Sequence, residues 1–203
     1  MTKLNPELEG TLRKAFKRFN HLMILMWRLG LGRWINMWPD KGGRIMVIAH
    51  KGRKTGLRRL TPVNYAVVDG ELYCTAGFGR VSDWYRNITA DPHVEVWLPQ
   101  GRWAGVAEDV TEDPRALELM REVLIGSGFA AELFGLHPRS MSDEELREVT
   151  ENYRLIRIHR TEAITGPGGP GDLAWVWPVG AVLLAGFIGL RMVRARWKRQ
   201  NTP

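Results

Sequence analysis

The sequence predicts an α+β chain built on a small β-barrel, and three observations carry that expectation. Short apolar runs rich in β-branched and aromatic residues recur between residues 44 and 110, separated by turn residues. One helical stretch, 113–150, interrupts them before a last extended run at Tyr153–His159. At 203 residues the chain has room for one domain with extensions.

Taken in order, residues 1–40 form an N-terminal helical region, with Pro6 near the start and Pro39-Asp40 as the stop. Leu12, Phe16, Phe19, Met23, Met26 and Trp27 recur at helical spacing, opposite Arg13, Lys14, Lys17 and Arg18. Such a basic amphipathic helix reads as membrane-surface binding, or as a helix packed over the barrel mouth. Arg44–Ala49 is the first strand. Leu60–Val68 and Glu71–Ala76 follow as a hairpin around Asp69-Gly70. His93–Leu98 and Arg102–Val110 pair around Pro99-Gln100-Gly101. Asp113 can cap a helix starting at Pro114, and Ser142-Asp143-Glu144-Glu145 has the capping-box pattern.

Gly166–Gly171 is a linker by composition. Beyond it, residues 173–190 carry no charge over 18 positions, about 27 Å of helix and the lower limit for a bilayer. Trp175, Trp177 and Trp197 suit an aromatic belt, whereas Pro178 and Gly180 would kink or shorten the helix. The expectation is a single C-terminal transmembrane helix with a membrane-associated catalytic domain on the cytoplasmic side. The tail cations Arg191, Arg194, Arg196, Lys198 and Arg199 conflict with that orientation, because the positive-inside rule would keep them in the cytoplasm. The expected division is 1–40, a barrel domain at 41–165, a Gly/Pro linker at 166–172, and the hydrophobic helix with its basic tail at 173–203.

The formal charge is +7, yet it resides at the ends. Residues 45–190 hold 15 basic and 19 acidic residues, and five of those 15 cations fall within 51–59. A nucleic-acid binder would spread positive charge over its folded face, so that class is excluded. Cys74 is the one cysteine, which rules out an intrachain disulfide. The five histidines are scattered and give a metal site little support.

The cluster Lys51-Gly52-Arg53-Lys54-Thr55-Gly56-Leu57-Arg58-Arg59 has two readings, a solvated basic turn or a seat for phosphate or carboxylate. The residues downstream of it decide between the two. Gly52-Arg53-Lys54-Thr55-Gly56, Arg59, Pro62, Gly77-Phe78-Gly79, Trp84-Tyr85, Asn87 and Ala90-Asp91-Pro92 stand in an order that resembles the deazaflavin-dependent nitroreductase family of split β-barrel proteins. The resemblance covers about residues 44–162.

That resemblance implies an FMN-binding-like split β-barrel with a helical insertion, and coenzyme F420 as cofactor, with FMN as the alternative. It implies that Arg53, Lys54 and Arg59 bind the coenzyme's phosphodiester and glutamate tail, aided by N–H groups around Thr55 and Gly56, with Pro62 part of the same pattern. Ala76, Gly77, Phe78, Gly79 and Arg80 would lie along the deazaflavin. Trp84 would stack near the cofactor or pack under the barrel, and Asn87 would fix a turn. Tyr65, Tyr85, His137 and solvent are the candidate proton sources. The chain departs from the family pattern at Ser82-Asp83, where a Pro-containing pair is usual, and at Asn64.

The function implied is hydride transfer to an electron-poor acceptor such as a quinone or nitroaromatic compound. The expected partners are that small molecule, held in the membrane if it is a quinone, and membrane lipid, with no nucleic acid and a homodimer left open. The competing readings are a non-catalytic split-barrel protein holding a lipid or flavin-like ligand, and an FMN-dependent reductase.

Overall fold

A computed structural model describes residues 18–37, 42–133 and 135–200. Its centre is a closed barrel of six strands: β1 (Ile45–Lys51), β2 (Arg58–Val68), β3 (Glu71–Ala76), β4 (His93–Leu98), β5 (Gly101–Asp109) and β6 (Arg154–Ala163). The order around the barrel is β1-β2-β3-β6-β5-β4, and each neighbouring pair is antiparallel. Strand alternation sorts the side chains. Met46, Ile48, Tyr65, Leu72, Cys74, Val96, Ile156 and Ile158 fill one core inside the barrel. Their neighbours in sequence, such as Val47, Tyr73, Trp97 and Leu155, pack in two further clusters outside it.

Helices cover those outer faces. The described part of α1 runs over 18–28, and a short α2 (Gly32–Ile35) follows the turn at Gly30. Trp27 is 1% exposed against Val47 and Trp97. Gly32 sits flat on the Trp27 ring, where a Cβ would come within 2.4 Å of it. Burying a side chain of this size is worth about 2–3 kcal/mol, which fixes α1 to the barrel wall. Of the expected apolar stripe, Met23 and Trp27 are buried, Met26 is half-buried and Phe19 is exposed. Leu12, Phe16 and the cations at 13, 14 and 17 lie outside the described residues, as does the Pro39-Asp40 stop.

The insertion supplies α4 (Ala116–Gly126), α5 (Phe129–Leu133) and α6 (Asp143–Thr150), packed on the face formed by β2, β3 and β6. Ser142 and Glu145 form the capping box. The helix starts at Ala116, two residues later than expected, with Arg115 at its cap position, and the Asp113 carboxylate accepts from Arg115 N at 2.8 Å. Gly126 lets α4 reach β2, since a Cβ there would lie 2.6 Å from the Tyr65 carbonyl.

The stretch 166–171 is tied to the barrel by hydrogen bonds. Arg102 donates to the carbonyls of Ile164, Thr165, Gly166 and Pro167, and Arg58 to that of Gly168. Gly171 N then donates to the Trp27 carbonyl, and Arg28 holds Asp172 through three hydrogen bonds of 2.9–3.1 Å. The strap thus runs over the barrel and ends on α1.

The expected transmembrane helix and membrane localisation are overturned. Among the described residues no helix is long and apolar enough to cross a membrane. The charge-free run has 18 residues in sequence, but Leu173, Ala174 and Trp175 are turns and the last helix, α7 (Val176–Gln200), begins only at Val176. Fifteen residues remain before Arg191, about 22 Å against a hydrocarbon core of about 30 Å.

Candidate functional site

A short helix absent from the sequence expectations positions the site. After a 3-10 turn at Gly79–Val81, α3 (Asp83–Ala90) lies across the barrel end where β1 and β3 finish and β2 and β6 begin. Trp84, Tyr85 and Ile88 point into the barrel core. At eight residues the helix is too short to show a helical period.

The basic loop at 52–57 folds on itself. Gly52 N donates to the Leu57 carbonyl at 2.9 Å, and the Gly52 carbonyl accepts from Thr55 N at 3.2 Å and Gly56 N at 2.7 Å. Gly56 has φ of +67°, a conformation that suits glycine. The N–H groups of Thr55 and Gly56 are therefore spent inside the loop, and the expected backbone nest for an anion is not formed.

Four of the cluster's five cations, Arg53, Lys54, Arg58 and Arg59, divide by contact. Arg53 is committed: its backbone N and Nη1 both donate to Asn87 Oδ1, at 3.1 and 2.9 Å, and its Nη2 donates to Asp83 Oδ1 at 3.0 Å. Arg58 is also committed, through an ion pair of 3.0 Å to Glu95, a position 5.7 Å from the Trp97 ring centroid and the strap carbonyl. Lys54 and Arg59 are exposed and make no hydrogen bond or ion pair among the described residues. With the exposed Arg80 side chain, they are the candidate cations without a hydrogen bond or ion pair among the described residues.

Asn87 does more than fix a turn. Besides accepting from Arg53 it faces His50 Nδ1 at 3.3 Å, and His50 Nε2 faces Thr61 Oγ1 at 3.0 Å. His50 is buried, and burial pushes its pKa below the ordinary 6.5; the Lys51 backbone opposes this and the Arg59 charge adds to it. His50 is thus a neutral strut beneath the loop. Pro62 stands in β2 opposite Val47. Its missing N–H is tolerated because β3 pairs with β2 only from Tyr65 onward.

The second wall is the segment after β3. Ala76 is buried at the strand end, Gly77 lies against the Tyr153 ring, and Phe78 and Arg80 are exposed. Gly79 is fixed by two constraints: φ of +59°, and an Asn152 carbonyl that a Cβ would approach to 2.1 Å. The Arg80 carbonyl accepts from Arg86 Nε at 2.8 Å. Trp84 is half-buried against the barrel core. The contacts of Arg53 to Asp83 bring this wall beside the basic loop.

The two tyrosines do not join that surface. Tyr65 is 6% exposed inside the barrel, opposite Cys74, and burial pushes its phenol up. It lies six residues along β2 from Arg59, about 20 Å away. Tyr85 donates to Asp109 Oδ2 at 2.5 Å, and burial followed by that carboxylate raises its pKa. Burial would raise Asp109 as well, but hydrogen bonds from Thr111 and Tyr85 and the Arg154 charge hold it below the ordinary 3.8. The Tyr65 phenol is thus enclosed, and the Tyr85 proton is engaged by Asp109. Sequence reading missed Asp109, Arg154 and the His50 strut, because their roles arise from strands that meet only in the folded barrel.

The arrangement is a six-stranded barrel with exposed loop cations beside the segment that follows β3. The family model described as F420H(2)-dependent quinone reductase matches residues 28–127 of the chain. The chain is an F420H2-dependent reductase and its cofactor is coenzyme F420. Among solved structures the chain is similar to a conserved hypothetical protein from Mycobacterium tuberculosis, at 25% identity and TM-score 0.43 over 62% of this chain and 85% of that one. An F420-H2 dependent reductase matches at 21% identity and TM-score 0.38, over 56% and 91% of the two chains. HutZ, a heme storage protein from Vibrio cholerae, matches at 12% identity and TM-score 0.42, over 69% and 94%. The comparison with curated proteins gives no match.

Proposed function

We propose that the chain transfers a hydride from reduced F420 to a quinone-type acceptor, and that Lys54 and Arg59 hold the coenzyme's anionic groups. The observation that carries this reading is the pairing of commitments in the loop. Arg53 and Arg58 are locked by carboxylates, while Lys54 and Arg59 stay exposed and unpartnered on the same turn. Phosphodiester and carboxylate oxygens are the acceptors such cations favour. A second observation supports the fit: Gly77 is exposed at the end of β3 beside that turn, where backbone without a side chain lets a flat ring approach.

When bound, the reduced deazaflavin supplies a hydride, that is two electrons and one proton. Reducing a quinone to a hydroquinone needs one further proton. Tyr65 is enclosed and the Tyr85 proton is engaged by Asp109, so solvent delivers it at the open wall. Phe78 and Val81, at 52% and 58% exposure, give that wall an apolar lip for the acceptor ring. The decisive test is absorbance-monitored oxidation of reduced F420 by the purified protein across a panel of menaquinone analogues. Oxidation with the quinones is expected; no oxidation by any of them would remove this acceptor class.

A further inference from the structure

We propose that Asp83 sets the affinity of the anion seat by keeping Arg53 out of it, so that Arg53 positions the loop while Lys54 and Arg59 bind. The inference rests on the proposed role of the loop as the coenzyme's anion seat. It also explains what a carboxylate does where the family pattern usually has a Pro-containing pair.

Arg53 is held from two unequal sides. On the inner side, buried Asn87 receives both its backbone N and its Nη1, and Asn87 is itself fixed by His50. On the outer side the partner is Asp83, which approaches from solvent. The Arg53 side chain is 22% exposed and that of Asp83 is 83% exposed, with 3.0 Å between Nη2 and Oδ1. A guanidinium carries five N–H donors. Asn87 and Asp83 engage the Nη1 and Nη2 edge that the loop turns outward.

The Asp83 carboxylate has the same chemistry as the glutamate carboxylates of the coenzyme tail, and it resembles the phosphodiester in charge and hydrogen-bond capacity. It is therefore a resident competitor for Arg53. An ion pair this exposed is weak, because water screens it and the side chains give up entropy to hold it. Removing the carboxylate leaves the Asn87 contacts in place and turns Nη2 free toward ligand, one residue from Lys54. It does not open the core, since Asp83 buries little surface.

The test is calorimetric titration of coenzyme F420 into the wild-type chain, Asp83→Asn, Arg53→Gln and the double variant, at low and high salt. Asp83→Asn is expected to tighten binding about three- to tenfold, with a steeper loss of affinity on adding salt, because one more cation meets the ligand. That gain is expected to vanish in the Arg53→Gln background. Unchanged or weaker binding by Asp83→Asn would overturn the inference, and so would a gain that persists without Arg53, which would mean only that a nearby negative charge had been removed. Binding by the wild type with either of those results sinks this inference alone. No binding by any of the four proteins would remove the loop reading and this inference with it. Asp83→Ser checks that the effect follows the lost charge, and it is expected to match Asp83→Asn.

Discussion

At the scale of single residues, the division of labour among the loop cations is open to direct measurement. Lys54→Ala together with Arg59→Ala is expected to weaken F420 binding by about 2–4 kcal/mol, from two charge-assisted contacts worth roughly 1.5–3 each and not fully additive. Calorimetry checks it, and titration curves matching the wild type would take this loop out of the site. Tyr85 belongs to a different argument. Its hydroxyl satisfies Asp109 at a barrel end sealed by α3, so Tyr85→Phe removes a hydrogen-bond donor to a carboxylate. A loss of about 1–3 kcal/mol of folding stability is expected, with turnover per folded molecule nearly unchanged. Denaturant melts beside steady-state kinetics separate the two. Turnover that collapses while stability holds would restore Tyr85 as a proton donor.

At the scale of elements, how legible a feature was in the sequence depended on how local its cause is. Glu71–Ala76 and His93–Leu98 have the expected ends because Asp69-Gly70 and Pro99-Gln100-Gly101 bound them with local turn chemistry. β6 runs to Ala163, four residues past its expected end, because β5 offers it a partner down to Trp103, which no local signal reveals. The basic loop was visible as charge. Which of its cations are spent was not, since that depends on Asp83, Asn87 and Glu95 arriving from elsewhere. α1 shows the same limit: its stripe was readable, but the reason Gly32 must be glycine is the Trp27 ring beneath it. Gly32→Ala forces that ring to move and is expected to cost about 1–3 kcal/mol, and Trp27→Ala about 3–5, in urea denaturation. Equal midpoints for wild type and Trp27→Ala would show that α1 does not hold to the barrel.

At the scale of the whole molecule, α1 and the strap at 164–173 meet over one face of the barrel, and Arg102 is where that closure depends on a single side chain. Its side chain is 9% exposed. It donates to four consecutive strap carbonyls and to Glu95, which also receives Arg58 and the Trp97 indole N–H at 2.7 Å. Removing the guanidinium leaves those carbonyls to water and leaves Glu95 with fewer donors. Gly166 and Gly168, at φ of +92° and +82°, then have no side chains to hold the strap's path. Arg102→Met keeps the apolar stem and removes only the charge and donors. It is expected to lower stability by roughly 2–4 kcal/mol and to expose 166–171 to protease. Acid should act on the same molecule from another point. His50 is pushed below its ordinary 6.5 in the fold, so the unfolded chain binds that proton more readily, and stability falls as pH drops below about 6.5. Asp109, held below 3.8, adds a second loss only under about pH 4. In His50→Gln the first slope should vanish while the second remains, and strap proteolysis at pH 7 should match the wild type. Arg102→Met should do the reverse, keeping both slopes while the strap is cut. Proteolysis of the strap in His50→Gln at pH 7 would instead tie the two ends of the barrel into one cooperative unit.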